Sequence, residues 1–501
     1  MLIVRALEDI PERNIKEGDE FGLFLVDAHH HMGKEKDHKN TPSGAYDFYA
    51  SLWFEMQKMT KQLIEDDKLL FEPVQVVGSN LASRVFKSRD SWKRSDHGWL
   101  VDRTIIFPYT DDYSAPRNEK EASFVVSNDK ISAWSTRAPH STRLIGFARV
   151  DPKDELRSKG LAVRELERSV LDLGLRGLKL HPLAQLFVDT IEDATTKDIV
   201  KRAGELHIPV IFDTRNISTV VKIRNLVESM RYDPDCGPAM NGLHVILAHC
   251  GMSPGDRQLY EALKDPVIYA ETSTLHDRDV PVLFESSIDR LNQLDFKWSE
   301  KILFGTDFSF LSVQAADVIL YLLSREFAGT LADVQRVLGG NALSIIKSPF
   351  STTKGQSSTP VEFVCTDKEG SSQFKLEDAL ISLINKEEWD LCSLDPMISP
   401  KGTWPEPAPL SKGGFNGIYP ESYVLSLRSR KSQKEIHVWI RRNLGDLLLC
   451  SVLNSHGKIC LDTTEFASQK INPVLLRTLT DYSSTLVSNN EMTAKILSHI
   501  S

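Results

Sequence analysis

The stretch VDAHHHMG, residues 26–33, carries three consecutive histidines at the end of an apolar run. This run predicts a strand over Leu23–Ala28 that continues into the histidines. Because successive side chains of a strand point to opposite faces, we expect Asp27, His29 and His31 to share one face and His30 to lie on the other. Two imidazoles on one face form a candidate metal-binding pair, and a solvated histidine-rich turn is the alternative.

Seven further apolar runs follow along the chain, separated by amphipathic stretches of helical period. Continuous apolar strands that alternate with helices are typical of buried parallel sheets with right-handed crossovers. Eight such units predict an α/β fold, a (β/α)8 TIM barrel over residues 1–347. A doubly wound open sheet is the alternative, but no glycine-rich phosphate loop follows the first strand. The seven predicted strands are Thr104–Pro108, Leu144–Val150, Gly177–His181, Pro209–Asp213, Leu243–His249, Val267–Glu271 and Lys301–Asp307.

Three other regions differ in pattern from the barrel. Residues 33–100, with a helical pattern around Ser51–Leu70, are expected to be an insertion that covers the barrel mouth. Residues 348–360 read SPFSTTKGQSSTP from Ser348 and are expected to be a linker. Residues 361–501 predict a small C-terminal α+β domain of unknown function. Its predicted helices are Phe374–Ile384, Val474–Leu486 and Glu491–Ile500, and its predicted antiparallel strands are Tyr423–Leu427, Ile436–Arg441, Leu447–Leu453 and Lys458–Asp462.

Composition excludes several classes of protein. The 501 residues carry a formal net charge of −9, which argues against nucleic acid and anionic membranes as partners. Six scattered cysteines without a paired spacing indicate free thiols in a reducing compartment. The N-terminus lacks the pattern of a signal peptide, and no apolar run is long enough for a transmembrane helix. The expected localisation is cytoplasmic.

Three more predicted strands end in residues of the metal-ligand type. GLKLHP (177–182) places Lys179 and His181 on one face, His249 closes LHVILAHCG, and Asp307 lies in LFGTDF. A lone histidine or aspartate at such a position is usually structural. Together, at the carboxyl ends of barrel strands, these residues predict a site for Zn²⁺, with Mn²⁺ as the alternative.

These motifs resemble the amidohydrolase superfamily, in its amidohydrolase-related branch that includes aminocarboxymuconate-semialdehyde decarboxylase-like enzymes. The resemblance covers residues 20–347. It rests on VDAHHHMG, VDRTIIFP, LIGFARVDP, GLKLHP, LAHCG, LFGTDF and VLGGNALSII. It implies the barrel fold, a metal pair at His29 and His31, a strand-six His249 and a metal-bound Asp307. It also implies a homodimer.

One position departs from the family pattern. The fifth strand of this branch commonly ends in a metal-binding histidine, whereas PVIFDTR places Asp213 there and Arg215 where a glycine would stand. Three interpretations follow. Asp213 ligates the metal itself, or His181 completes the coordination with Asp213 behind it, or metal binding is weakened and the barrel has lost catalysis.

Two basic residues at the same end of the barrel are candidate substrate-binding groups. Some superfamily members carboxylate a lysine at the position of Lys179, but for a buried inward lysine we favour an ion pair with a nearby aspartate. Arg215 suits a substrate carboxylate, and a salt bridge to Asp213 is the equal alternative.

The expected activity is metal-dependent hydrolysis of an amide, ester or lactone bond in a small molecule. Asp307 would move the proton of the attacking water and His249 would polarise the scissile carbonyl. Non-oxidative decarboxylation uses the same ligands and is the second enzymatic hypothesis. A catalytically weakened scaffold whose C-terminal domain binds a partner is the third.

Overall fold

A computed structural model describes most of the first 346 residues and five strands beyond them. Side chains are described within the first 346 residues and at residues 409–410. The described residues are 2–76, 100–110, 115–136, 140, 143–292, 295–310, 314–346, 389–396, 409–410, 422–429, 435–443, 446–454 and 459–462.

Eight parallel strand segments line the barrel, as the sequence predicts. All their side chains from the second strand to the eighth are buried except His244 and Tyr269, which are half-buried. The strands are Val26–Glu35, Arg103–Pro108, Leu144–Gly146 with Ala148–Arg149, Leu178–Leu180, Pro209–Phe212, His244–Leu247, Ile268–Glu271 and Ile302–Leu303. Five of the eight end before the predicted boundary.

Backbone hydrogen bonds between the last and first strands complete the ring. Ala28 N donates to Phe304 O at 2.8 Å, Asp307 N to His29 O at 2.9 Å and His31 N to Phe308 O at 2.7 Å. On the other side, the two pieces of the third strand pair with the second and the fourth strands respectively. The barrel is therefore a (β/α)8 TIM barrel.

Helices follow the strands on the outside and bury apolar side chains against them. No described helix is both long enough and apolar enough to cross a membrane. The α-helices are Pro42–Glu65, Val125–Ser135, Asp154–Arg157, Leu161–Glu167, Ala194–Glu205, Ile217–Arg231, Gly237–Met240, Arg257–Leu263, Asp279–Leu291, Ala315–Leu322, Leu331–Gln335 and Asn341–Ile345.

The segment between the first two barrel strands differs from its prediction. Its helix, Pro42–Glu65, begins before and ends before the predicted Ser51–Leu70, and it is the first helix of the barrel. Leu70 N and Phe71 N, just beyond it, both donate to Leu323 O at the end of the helix that follows the eighth strand. The part around residues 70–71 therefore packs beside the barrel, whereas His38 packs against Tyr109 and Phe310 beyond the ends of the second and eighth strands. Residues 77–99 lie outside the described residues.

A three-stranded antiparallel sheet precedes the barrel and was not predicted. Its strands are Leu2–Ala6 in the centre, Glu20–Leu23 and Phe71–Val76. Leu23, predicted to begin the first barrel strand, belongs to this sheet, where it pairs with Leu2.

The C-terminal region contains a five-stranded antiparallel meander, as its turn signals predict. The strands, in order, are Trp389–Pro396, Ser422–Ser429, Glu435–Asn443, Asp446–Asn454 and Ile459–Asp462. The first was not predicted. The three predicted helices lie outside the described residues, so the α+β prediction is confirmed only for its sheet.

Asn341 ties the last helix to the eighth strand and gives a test of the fold. Its buried side-chain amide donates to Ser299 O at 2.6 Å and to Ile302 O at 2.7 Å. Asn341→Ala leaves two buried carbonyls without donors, so we expect a loss of about 2 kcal/mol in the free energy of unfolding. Ser344→Ala, on the same helix, should change it by less than about 0.5 kcal/mol. Equal denaturation midpoints for the two variants would contradict this role of Asn341.

Candidate metal centre

The carboxyl ends of the barrel strands bring the predicted residues together. His29 and His31 come from the first strand, and Asp213, His249 and Asp307 follow the fifth, sixth and eighth. All five are at most 2% exposed. Two groups of potential ligand atoms result, one of His29, His31 and Asp307 and one of His29, Asp213 and His249.

The first group has the spacing of ligands around one metal ion. His29 Nε2 lies 3.4 Å from His31 Nε2. Asp307 Oδ1 lies 3.4 Å from His29 Nε2 and 3.2 Å from His31 Nε2. Ligand atoms about 2.05 Å from a tetrahedral metal lie about 3.4 Å from one another. The three donors therefore fit a Zn²⁺-sized ion without rearrangement.

The carboxylate of Asp307 is a potential metal ligand that the described residues leave without a hydrogen bond. Among the described residues, neither of its buried carboxylate oxygens has a hydrogen-bond partner. Burial raises the pKa of this carboxyl to about 6. Because an unpaired buried carboxylate is costly, the arrangement calls for a cation at this position.

The two imidazoles are held in the form that binds metal. Burial, and after it the positive charge of Lys179, lowers the pKa of both His29 and His31 well below the usual value. Both rings are therefore neutral at pH 7, as metal ligation requires. Phe107 supports them from below, with ring centroids 5.0 Å from His29 and 4.9 Å from His31.

The second group already contains a cation from the chain. Lys179 Nζ lies 3.2 Å from Asp213 Oδ2 and 3.2 Å from His29 Nε2. The ion pair that we favoured for Lys179 is therefore present. His249 Nε2 also lies 3.2 Å from Asp213 Oδ2. Burial alone would raise the pKa of Asp213, but Lys179, His181 and His249 hold it well below its usual value.

Burial and the charge of Asp213 have different net effects on the pKa values of its two partners Lys179 and His249. Burial lowers the pKa of Lys179 to about 8, in spite of the neighbouring Asp213. Burial also opposes protonation of His249, but the carboxylate of Asp213 outweighs it and raises the pKa of His249. Asp213 is thus a carboxylate compensated by its own neighbours, unlike Asp307.

His181 and Arg215 lie at the edge of the centre. His181 Nε2 is 3.5 Å from Asp213 Oδ1, and among the described residues His181 belongs to neither ligand group. Arg215 makes the predicted salt bridge, with Nε 2.9 Å from Asp213 Oδ1. Its Nη2 is 3.9 Å from Asp307 Oδ2, and its side chain is 32% exposed. Arg215 therefore connects the buried carboxylates to solvent.

Glu271, at the end of the seventh strand, was missed as a site residue. Its Oε1 lies 2.9 Å from His29 Nδ1 and accepts a hydrogen bond from His249 N at 2.9 Å. The pairing of Nδ1 leaves Nε2 of His29 for the metal. Gly305 allows this approach, because a Cβ there would lie 2.3 Å from Glu271 Oε2. The signal was available, since Glu271 ends a predicted strand as the other site residues do.

The face predicted for Asp27 is wrong. Asp27 Oδ2 lies 3.2 Å from His30 Nδ1 and accepts hydrogen bonds from Tyr49 and Thr306 at 2.7 and 2.6 Å. The pairing with the second strand shifts register between Asp27 and His30, so strict alternation fails there. Asp27 therefore contacts His30, behind the metal pair, whereas His29 and His31 keep the predicted common face.

Two site residues have backbone conformations that side chains rarely adopt. The φ angles of His249 and Asp307 are 61° and 54°, in the left-handed region. Such conformations cost of order 1–3 kcal/mol and cluster at functional sites. Here they turn the side chains inward where the strands end.

Comparison with known proteins supports the family. The family model described as amidohydrolase matches residues 115–346, from before the third strand to the last helix. No curated protein matches the chain.

Several solved structures are similar to this chain at low identity. 2,6-Dihydroxybenzoate decarboxylase from Rhizobium has a TM-score of 0.39 and 14% identity, over 65% of this chain and 99% of that one. 4-Oxalomesaconate hydratase from Rhodopseudomonas palustris has a TM-score of 0.36 and 17% identity, over 64% and 95%. The part of the chain that matches the amidohydrolase family model therefore contains the third to the eighth barrel strands.

Proposed function

We propose that this protein is a metal-dependent hydrolase that cleaves an amide, ester or lactone bond of a small molecule. The observation that carries the proposal is the Asp307 carboxylate, buried without a hydrogen-bond donor and spaced from two neutral imidazoles as metal ligands are. The proposed metal ligands are His29, His31 and Asp307, with Zn²⁺ as the first candidate and Mn²⁺ as the alternative.

The neighbours of Asp213 support a single-metal site. Its oxygens lie close to Lys179, His249 and Arg215, whereas those of Asp307 accept no hydrogen bond from the described residues. We therefore propose that Asp213 compensates Lys179 beside the metal, and that His181 borders the substrate space. This proposal differs from all three interpretations of the fifth strand, because it leaves the centre intact without a metal ligand from either Asp213 or His181.

The side chains around the centre supply the remaining steps. His29, His31 and Asp307 would hold a divalent cation, which would supply Lewis acidity toward water and toward a substrate carbonyl. Asp307 accepts the proton of the attacking water and returns it to the leaving group. His249 stabilises the negative charge that develops on the substrate oxygen. Arg215, partly exposed beside Asp307, orients an anionic group of the substrate.

Metal analysis tests the ligand assignment directly. We expect about one equivalent of Zn²⁺ per chain in the purified, Zn²⁺-loaded protein, and less than about a tenth of an equivalent in His29→Ala and His31→Ala. Elemental analysis after gel filtration measures both. His30→Gln is the matched control, since the His30 ring faces Asp27 and should leave the metal content unchanged. A loss of metal in His30→Gln with retention in His31→Ala would contradict the assignment.

Substitution of Asp307 tests its proposed role in proton transfer. We expect Asp307→Asn to lower kcat for hydrolysis of 4-nitrophenyl acetate by about 10²- to 10⁴-fold, because the amide cannot accept the proton. Asp317→Asn, in the half-buried first turn of the next helix, should retain full activity. Circular dichroism establishes that both variants are folded. Full activity in a folded Asp307→Asn variant would exclude the proposed role.

Non-oxidative decarboxylation is the second candidate function, favoured by one observation. Arg215 Nη2 lies 3.9 Å from Asp307 Oδ2, so a carboxylate bound to Arg215 would lie close to the metal position. Incubation of the Zn²⁺-loaded protein with a panel of small unsaturated and aromatic acids, with CO₂ release as the measurement, distinguishes the two. CO₂ release that is lost in Arg215→Met, together with no ester or amide hydrolysis, would assign the lyase reaction.

A further inference from the structure

Arg149 is a buried cation at the mouth of the barrel for which the proposed chemistry has no use. It ends the third barrel strand, and its side chain is fully buried. Among the described residues, no carboxylate forms a salt bridge with it, and its Nη2 has no hydrogen-bond partner. Asp213, Glu35 and Asp151 act on its charge from beyond salt-bridge distance, so the requirement left unmet is a hydrogen-bond acceptor for Nη2, which a ligand could supply.

Hydrogen bonds to the other polar atoms of Arg149 hold its guanidinium in place. Arg149 Nε donates to Pro108 O at 3.0 Å, and Nη1 donates to Gln185 Oε1 at 3.4 Å. Asn128 fixes the backbone, since Arg149 N donates to Asn128 Oδ1 and Asn128 Nδ2 donates to Arg149 O, each at 2.9 Å. The remaining N–H donors of Nη1 and Nη2 therefore point in a fixed direction along one edge of the guanidinium.

The Nη1–Nη2 edge of Arg149 lies at the same end of the barrel as the candidate metal centre. Gln185, which holds Nη1, also accepts a hydrogen bond from His181 N at 2.8 Å. The charge of Arg149 contributes to the lowered pKa values of His31, His181 and Lys179. Arg149 therefore lies between the ends of the second, third and fourth strands, within electrostatic reach of the metal pair.

We propose that Arg149 is a specificity-determining residue that binds a carboxylate of the substrate through Nη1 and Nη2. Two parallel N–H donors on one planar edge match the two oxygens of a carboxylate. The confined position, with Nε already bonded to Pro108 O, favours a planar two-oxygen group over a phosphate. The proposal rests on the proposed function in one respect only, namely the identity of the bond that reacts in the bound molecule.

Arg149 and Arg215 have separate tasks in this arrangement. Arg215 is partly exposed and already bonded to Asp213, so it meets the substrate at the entrance. Arg149 is buried on the opposite side of the fourth strand, beyond His181, and fixes the inner end of the molecule. A substrate with a terminal carboxylate is then oriented with respect to His29, His31 and Asp307 before any bond changes.

Binding of benzoate to the Zn²⁺-loaded protein tests the proposal without turnover. Isothermal titration calorimetry should show benzoate binding that is about 10- to 100-fold weaker in Arg149→Met, because a charge-assisted hydrogen-bonded pair is lost. Benzamide, which has the same shape without the charge, should bind both proteins equally. Arg149→Lys, which keeps the charge but not the two-donor edge, should show an intermediate loss.

Lys301→Met is the matched control for removal of a buried cation. Lys301 Nζ donates to the carbonyl oxygens of Asp265, Pro266 and Ile268 before the seventh strand and at its start, at 2.7–3.0 Å, so it lies at the other end of the barrel. Its substitution should lower the melting temperature and leave the affinity for benzoate unchanged.

Two outcomes would overturn the proposal. One is equal benzoate affinity in the unaltered protein and both Arg149 variants, with only their melting temperatures changed, which would make Arg149 structural. The other is no measurable benzoate binding by the unaltered protein. Neither depends on catalysis, so failure of the proposed hydrolysis, seen as normal benzoate binding without turnover, is a distinct result.

Discussion

The backbone pairing between the first and last barrel strands is the constraint on which the candidate metal centre depends. Asp307 N donates to His29 O, and His31 N donates to Phe308 O. These two bonds fix Asp307 beside the histidine pair, although nearly the whole barrel separates them in sequence. Asp27 strengthens the same seam, because its Oδ1 accepts hydrogen bonds from both His29 N and Thr306 N at 3.0 Å. The three proposed ligands thus take their spacing from main-chain geometry.

Burial then determines the charge state of the centre. Water is excluded from His29, His31, Asp213 and Asp307, so each charge there must be neutralised by a neighbour or by a ligand. Asp213 has its cation in Lys179, and Glu271 has donors from His249 N and Ser273. Asp307 accepts no hydrogen bond from the described residues, and the cation of Arg215 approaches it only to 3.9 Å. The same reasoning applies with opposite sign to Arg149, whose buried guanidinium forms no salt bridge among the described residues. The proposals of a metal and of an anionic substrate follow from these two groups.

The sequence predicted some of these residues better than others, for physical reasons. Strand ends with His or Asp predicted His29, His31, His249 and Asp307, because parallel strands bring their carboxyl ends to one mouth. The same rule would have found Glu271. Arg149 was not predicted, since an arginine at a strand end is usually an exposed charge. Only its burial and its unpaired Nη2 mark it out. The face of Asp27 failed because a shift of strand register is not visible in residue periodicity.

The sequence by itself determined the fold class and the types of potential metal ligand at the barrel mouth, because apolar periodicity and residue type are local properties. It predicted the eight barrel strands, four of the five strands of the C-terminal meander and the departure at Asp213. The tertiary structure decided which of the candidate ligands lie within a metal's reach, because that depends on the pairing across the first and eighth strands. It also decided that Lys179 pairs with Asp213 and that His181 lies at the edge of the centre. Charge compensation between residues from different strands has no counterpart in the linear pattern, and it distinguishes Asp307 from Asp213.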